Sequence, residues 1–506
     1  MSRSPEGAVT GRAILAFLGL AALLVLREPG LWRAPRFWAE EGALYFHHAF
    51  NHGAWETLTF SVHGYLSLHA NLAAMVASSA PLESAPAVTT LAGAAVQLAV
   101  LAVVLFGRLS FLPNLGARVL AGLVVSLVGM TDELWLNSIN GHSHLGLLSA
   151  LLVLDERPWA STRRRLAQAC MLFYAALGGV YTCVLAPLFL ERAWRTRRRH
   201  DVEALVAVGL GCLVQVAFLA SRAEATVGRA ELTLEHASSV VHHLLAYPLL
   251  PLEGRVLPLL ALVGLALVVA LLRSPGKRRF VLASLLLSGI PLSVALWGGA
   301  ETRYAYAGSV VLQLGLLALA FDTARPRGLR AVAALAVAVA LAAGAASYPI
   351  ERGRGYDPAW TDWRDEVAAW REDQRAWLRI HPQSGGVTRA GWRMRLTVDD
   401  IREAPGHGTP PVTLTDERIE LPVTHVPALG NMSLGFGRVA EGEWLLDDFH
   451  FLPDAAFPSA ELTLGYGAFR FLATDGSVRT LRVVDLVEPF GYRVRLEPPS
   501  TTPQDR

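Results

Sequence analysis

Long apolar blocks free of Asp, Glu, Lys and Arg constrain this chain more than any other feature. They are Ala13–Leu26, Ala87–Gly107, Val119–Met130, Ser143–Leu154, Leu166–Leu190, Ala204–Ala220, Val256–Leu272, Phe280–Trp297, Gly308–Phe321 and Ala331–Tyr348. A helix needs about 20 mostly apolar residues to cross a bilayer, and most of these blocks approach that length. A soluble domain carries about 25% charged residues; this chain of 506 residues carries 17%, with 53% hydrophobic. That balance excludes a string of soluble domains, a disordered chain and a disulfide scaffold. A net charge of +2 gives no reason to expect nucleic acid as a partner. Cys170, Cys183 and Cys212 all lie inside apolar blocks and read as small apolar residues. Ala13–Leu26 follows Arg3 and Arg12, yet Arg27-Glu28-Pro29 offers no small-x-small cleavage site, so it reads as a span rather than a leader.

After Ile350 the texture changes. Charges, prolines and short alternating segments replace the apolar blocks, which divides the chain into a membrane domain, 1–349, and a soluble domain, 350–506. The soluble part opens with a helix expected over 360–380, where Trp360, Trp363, Val367, Trp370 and Trp377 share one helical face. That face either covers the domain that follows or lies at the membrane surface, where indoles prefer to sit. Alternation at Met394, Leu396 and Val398, and again at Tyr492, Val494 and Leu496, marks strands, with Asp475-Gly476 as a hairpin signal. A small antiparallel β-sandwich over about 391–498 is the expectation.

Arginine placement sets the sidedness. The basic clusters are Arg163–Arg165, Arg192 to Arg199, Arg273 to Arg279 and Arg325 to Arg330, with a weaker one at Arg108 and Arg118. All five fit on the cytoplasmic side. Leu166–Leu190 is then flanked by cytoplasmic arginines at both ends, which one crossing cannot satisfy. The block is expected to break at Gly178-Gly179 into two short helices or a re-entrant hairpin, as broken helices do where they line a protein cavity. The total is about 11 spans, with the N-terminus cytoplasmic and the C-terminal domain outside.

On that topology the first outer loop, 27–86, is long enough to be functional or disordered. It holds Glu40-Glu41, His47, His48, His52, His63, Tyr65 and His69. An adjacent carboxylate pair at a membrane boundary suits a general base or a metal ligand, though such pairs also decorate solvated loop faces. None of the histidine spacings matches an established zinc pattern, and the later cluster His236, His242 and His243 is equally ambiguous. A second outer loop offers Asp132, Glu133, Asn137, Asn140, His142 and His144 without a basic residue. Polar groups at membrane depth normally face a cavity or pathway. A third, Glu301-Thr302-Arg303-Tyr304, sets Arg303 at a span boundary, either as a headgroup snorkel or as a phosphate binder.

These loops together resemble a known family. Pro35-Arg-Phe-Trp-Ala-Glu40-Glu41-Gly-Ala-Leu-Tyr45 resembles the acidic motif in the first outer loop of GT-C-type glycosyltransferases. Gly64-Tyr65-Leu66-Ser-Leu68-His69-Ala-Asn71-Leu72-Ala73 resembles a second segment of uncharacterised bacterial membrane proteins related to that superfamily. Glu301-Thr-Arg303-Tyr304 is similar to the Arg-Tyr element before a late span in many GT-C enzymes. The resemblance covers roughly residues 10–396. Glu-Glu stands where Asp is common, no proline follows Tyr304, and the β region after Asp400 has no counterpart. The resemblance implies an all-α polytopic GT-C-like domain followed by a mainly β extracytoplasmic domain, in the inner membrane of a bacterium. It also implies an inverting transfer of a sugar from a polyprenyl phosphate to an envelope acceptor such as a glycan. Glu40 or Glu41 would act as the base, with Glu41 preferred because the following Gly42 lets the backbone turn tightly. Arg303, Tyr304, Asn140, His142, His63, Tyr65 and Asp132 would bind substrate. The resemblance assigns no particular cofactor and leaves room for a divalent metal. The other readings are a transporter or flippase of lipid-linked glycans, for which no internal repeat is visible, and a non-catalytic membrane assembly factor.

Overall fold

The computed structural model describes residues 11–61, 64–221 and 265–346, interrupted at 108, 128–133, 158–160, 267, 275 and 296–301. It further describes 348, 361–373, 378–381, 393–394, 396, and the strands between 413 and 496 with Thr415. The helices used below are α1 Gly11–Arg27, α2 Leu68–Ser78, α3 Ala85–Phe106, α4 Leu115–Leu127, α5 Gly141–Leu154 and α6 Thr162–Leu177. They continue with α7 Val180–Cys183, α8 Ala186–Thr196, α9 Arg199–Ser221, α10 Arg278–Ala295, α11 Tyr306–Ala320, α12 Arg327–Ala346 and α13 Trp363–Glu372. Apart from Val256–Leu272, most of which lies outside the described residues, the apolar blocks of the sequence are these helices.

Among the described residues, three helical stretches are long and apolar enough to cross a bilayer alone: Leu82–Phe106, Arg199–Ala220 and Arg327–Ala346. The bent pair Thr162–Leu177 and Val180–Thr196 passes the same test only when taken together, as a broken span or a re-entrant loop. By length and composition this is short of the eleven crossings expected. Val256–Leu272 lies mostly outside the described residues, and among the described helices α5 and α11 are apolar but short and are buried on all sides. Such helices touch protein rather than lipid, so lipid thickness does not set their length. Other helices carry apolar side chains outward at helical spacing: Val202, Val206, Leu210, Leu213 and Val216 on α9, and Val332, Leu335 and Val339 on α12. An outward apolar stripe of this kind suits acyl chains.

The break within Leu166–Leu190 is present. α6 and the helical segment after it meet at 118° across Gly178-Gly179. Gly179 has φ +148°, and a Cβ there would lie 2.8 Å from the His142 Cβ, so only glycine fits. Both basic flanks of the broken run return to the first turn of α9. Arg165 pairs with Glu203 at 3.1 Å and Arg192 with Asp201 at 2.6 Å. Arg279 joins the same end through Glu191 at 2.5 Å and Glu156 at 3.1 Å, while Lys277 and Arg325 share Asp322. The basic clusters of four separate segments therefore gather at one end of the bundle. Arg192 is buried there, and donates to the carbonyls of Leu152 and Val153, which the end of α5 leaves without helical partners.

The tail begins differently from expectation. The tryptophan helix is shorter, Trp363–Glu372, capped by the Asp362 side chain on the Arg364 N–H at 2.9 Å. Leu378–Arg379 is a strand, β1, paired antiparallel with β2, Arg393–Met394. The face bearing Trp363, Val367 and Trp370 meets the start of the expected β region only at Met394 and Leu396 among the described residues. It shares a core with Phe37, Ala43, Phe46, Ala77 and Ala85 of the first outer loop and the start of α3, and with Leu378, Ile380, Met394 and Leu396. Trp360 and Trp377 lie outside the described residues.

Beyond it, β3 Thr413–Leu414, β4 Arg418–Val426, β5 Gly430–Ala440, β6 Glu443–Phe451, β7 Ala460–Glu461, β8 Ala468–Leu472, β9 Val478–Val487 and β10 Gly491–Leu496 form one sheet. Its order is β3-β4-β5-β6-β10-β9-β8, antiparallel throughout, with β7 parallel to β4. The hairpin expected at Asp475-Gly476 is the pairing of β8 with β9, whose connecting residues lie outside the described set. The β-sandwich is met only as an antiparallel β unit, because the described strands belong to one hydrogen-bonded sheet. β7 takes the free edge of β4 beyond β3 and also lies beside β8, so the two ends of the sheet curl toward each other.

Candidate active site

The acidic motif of the first outer loop forms a tight turn leading into one turn of π-helix, Glu41–Phe46. Three local features shape it. Ala39 sits at φ +43°, a region that L side chains seldom occupy. Gly42 meets Phe37 and the tip of Ile380 so closely that a Cβ would fall 2.8 and 2.9 Å from them. The chain from Phe37 to Ala39 pairs as a parallel bridge with His381: the His381 N–H donates to the Phe37 carbonyl at 3.1 Å, and the Ala39 N–H donates to the His381 carbonyl at 2.6 Å.

The two glutamates have opposite surroundings. Glu41 is 2% exposed. One carboxylate oxygen accepts from the Ser138 N–H at 2.8 Å and its hydroxyl at 2.7 Å, the other from the Trp38 N–H at 3.3 Å. The Thr89 side chain adds a further hydrogen bond. Burial raises the carboxyl above its ordinary value, and these donors pull it part of the way back. Glu40 is half-buried and lies within electrostatic reach of Tyr45 and Tyr65.

Tyr65 lies within electrostatic reach of Tyr45, Tyr181, Tyr304 and Glu40, and its ring and the His142 side chain both border Gly179. The Gln215 side chain of α9 fixes the strand-like stretch there: it accepts from the Leu66 N–H and donates to the Leu66 carbonyl, both at 2.9 Å. His142 stacks on Tyr181 at 5.1 Å between ring centroids, and the Tyr181 hydroxyl donates to the Tyr304 carbonyl at 3.5 Å. Tyr304 lies within the single-turn helix Thr302–Ala305. Asn140 is buried at the head of α5, its N–H on the Asn137 side chain at 2.9 Å. Segments far apart in the chain thus bring Glu40, Tyr65, His142, Tyr181 and Tyr304 together, four of them half-exposed. His63, Asp132 and the side chain of Arg303 lie outside the described residues, as does the cluster His236, His242 and His243.

The other loop histidines serve packing. His69 is buried, its Nδ1 2.7 Å from the Tyr174 hydroxyl. His48 stacks on Phe60 at 3.9 Å. Among the described residues, no three of His, Cys, Asp or Glu stand close enough to share a metal ion. Sequence reasoning missed Tyr181, Ser138, Thr89 and His381. Only Tyr181 carried a local signal, two residues past the glycine break.

No protein-family model matches the chain, and no curated protein matches it. Solved structures offer distant likenesses. An oligosaccharyltransferase AglB from Archaeoglobus fulgidus, in complex with an inhibitory peptide and a dolichol-phosphate, is 16% identical at a TM-score of 0.39. That likeness covers 72% of this chain and 58% of that one. A second Archaeoglobus fulgidus oligosaccharyltransferase structure, tethered to an acceptor peptide, is 17% identical over 72% of this chain and 57% of that chain, at a TM-score of 0.36. The arabinosyltransferase EmbB from Mycobacterium smegmatis is 14% identical over 98% of this chain and 62% of that chain, at 0.33. This chain spans less than two thirds of each of them.

Proposed function

We propose that this chain is a membrane glycosyltransferase that moves a sugar from a polyprenyl-phosphate donor to an acceptor hydroxyl outside a bacterial inner membrane, inverting the anomeric centre. The division of labour within the acidic pair carries the reading. Glu41 is taken up by four donors and fixes the loop, whereas its neighbour Glu40 stands half-exposed beside a tyrosine and histidine cluster. A half-exposed carboxylate at the head of a rigid turn suits a general base.

In this reading Glu40 takes the proton from the acceptor hydroxyl while that oxygen bonds to the anomeric carbon. The bond from that carbon to the phosphate oxygen breaks, and polyprenyl phosphate leaves with the electron pair. Tyr65 and Tyr304 offer aromatic faces and hydroxyls to a sugar ring and His142 extends that wall, while the buried Tyr181 backs His142 and holds the Tyr304 carbonyl. Arg303 meets the leaving phosphate, where a charge-assisted contact is strong. The gathering of the basic clusters at one end of the bundle supports a cytoplasmic face there and an outer face at the acidic turn.

Glu40→Gln tests the assignment. Glutamine keeps the size of the side chain but does not take up the proton, and general-base catalysis is worth ~10²–10⁴-fold in rate. Turnover of a lipid-linked sugar in proteoliposomes should fall by that order while donor binding holds. Full turnover in this variant would remove Glu40 from the reaction and bring the transporter and assembly readings forward.

A further inference from the structure

The segment joining the membrane domain to the β sheet lies against the acidic turn in a way that general packing does not explain. α13 is anchored by Trp363, whose indole N–H donates to the Leu82 carbonyl at 2.8 Å and whose ring meets Phe37 edge-on at 5.2 Å. Arg371 reaches Glu83 at 2.7 Å. Glu366 holds β1 in line, accepting from the Arg379 N–H at 2.9 Å and from its guanidinium at 2.7 Å. From that anchor Ile380 seats on Gly42, and His381 grips the backbone on both sides of Trp38. The gripped residue Ala39 is the one at positive φ, and Glu40 follows it directly.

We propose that α13, β1 and the adjoining Ile380 and His381 are a positioning strap for the acidic turn: the His381 backbone and the Ile380 side chain hold Ala39 in its left-handed conformation and so set where the Glu40 carboxylate stands. An alanine at positive φ persists only when its surroundings over-determine it. The loop closes over it with the Glu41 N–H on the Trp38 carbonyl at 2.9 Å and the Gly42 and Ala43 N–H groups on the Ala39 carbonyl at 3.2 and 3.1 Å, and the tail adds the two His381 backbone bonds and the Ile380 contact. The strap rests on the reading of Glu40 as the base for its catalytic consequence, but not for its geometry. It makes Ile380 and His381 positioning residues, since neither acts on substrate.

The test uses the full chain with Cys170, Cys183 and Cys212 changed to alanine. Trp38→Cys with His381→Cys should form a disulfide in native membranes, since the two residues face each other across the bridge. Failure to cross-link would overturn the docked strap. Maleimide labelling of Glu40→Cys then reads the turn. Ile380→Ala should raise the labelling rate about tenfold by freeing Ala39 to leave its strained region. Adding Ala39→Gly should bring the rate back toward the parent, because glycine holds that conformation without help. An unchanged rate in Ile380→Ala, or no recovery with glycine, would overturn positioning. With Glu40 restored, Ile380→Ala should lower kcat and leave the donor KM unchanged, with the same recovery. If the parent chain moves no sugar, the glycosyl-transfer reading falls alone, since cross-linking and labelling still decide the strap.

Discussion

At Glu40 and Glu41 the same side chain meets two environments one residue apart. The pair was legible in the sequence, but its division was not, because the donors that claim Glu41 come from Ser138 and Thr89, remote in the chain and unremarkable in type. Glu41→Gln should therefore act on stability more than on chemistry. Its amide group presents hydrogens toward donors, leaving at least one buried polar group unpaired, at about 1–3 kcal/mol. A lower thermal midpoint with residual turnover is the expected result, in contrast to Glu40→Gln. Ala39→Val extends the contrast. A β-branched residue at φ +43° is strained by a further amount of about 1–2 kcal/mol, and the turnover of this variant should drop with the turn.

Among the elements, the break at Gly178-Gly179 was readable from arginines on both flanks of one apolar run, a signal independent of helix propensity. Gly179→Ala tests it: the positive φ and the approach to His142 should together cost about 1–3 kcal/mol, seen as a lower midpoint of thermal unfolding in detergent. The tryptophan helix shows where local pattern fails. The spacing that gave one helical face also fits a strand at its end, since Leu378 and Ile380 are buried and Arg379 between them is exposed. Which elements the tryptophans cover was decided by Phe37 and Phe46, more than three hundred residues earlier. Docking of this segment should depend on pH through His381. Burial and the Arg36 guanidinium pull its imidazole down to about 3, below the ordinary ~6.5. Between those values the unfolded chain binds the extra proton, so stability rises with pH and is lost as pH falls. The raised Glu41 carboxyl works in the opposite direction, so the contribution is isolated by comparison with His381→Gln. On going from about pH 7 to about pH 5 the parent should lose more of its thermal midpoint than that variant.

For the whole molecule, the sequence conveyed a helical apolar domain and a β tail because long blocks and strand alternation are local. The span count was less legible. Blocks such as Ser143–Leu154 are apolar because they are enclosed, and composition does not distinguish a protein neighbour from a lipid one. The ion-paired end, by contrast, joins arginines the sequence had grouped. Cysteine labelling of intact cells should find Arg164→Cys and Arg198→Cys on the same side and His142→Cys reachable from the other. Labelling of the two arginine positions from opposite sides would refute the hairpin. The bridge between Trp38 and His381 also has a consequence in time. The acidic turn leaves the ribosome long before the strand that clamps it, a delay on the order of tens of seconds at ordinary elongation rates. Throughout synthesis the nascent chain carries its carboxylate pair in an unfinished setting, and only the completed tail closes it. A chain released early, by a stop codon or a protease, is left with an acidic turn that lacks the His381 and Ile380 contacts.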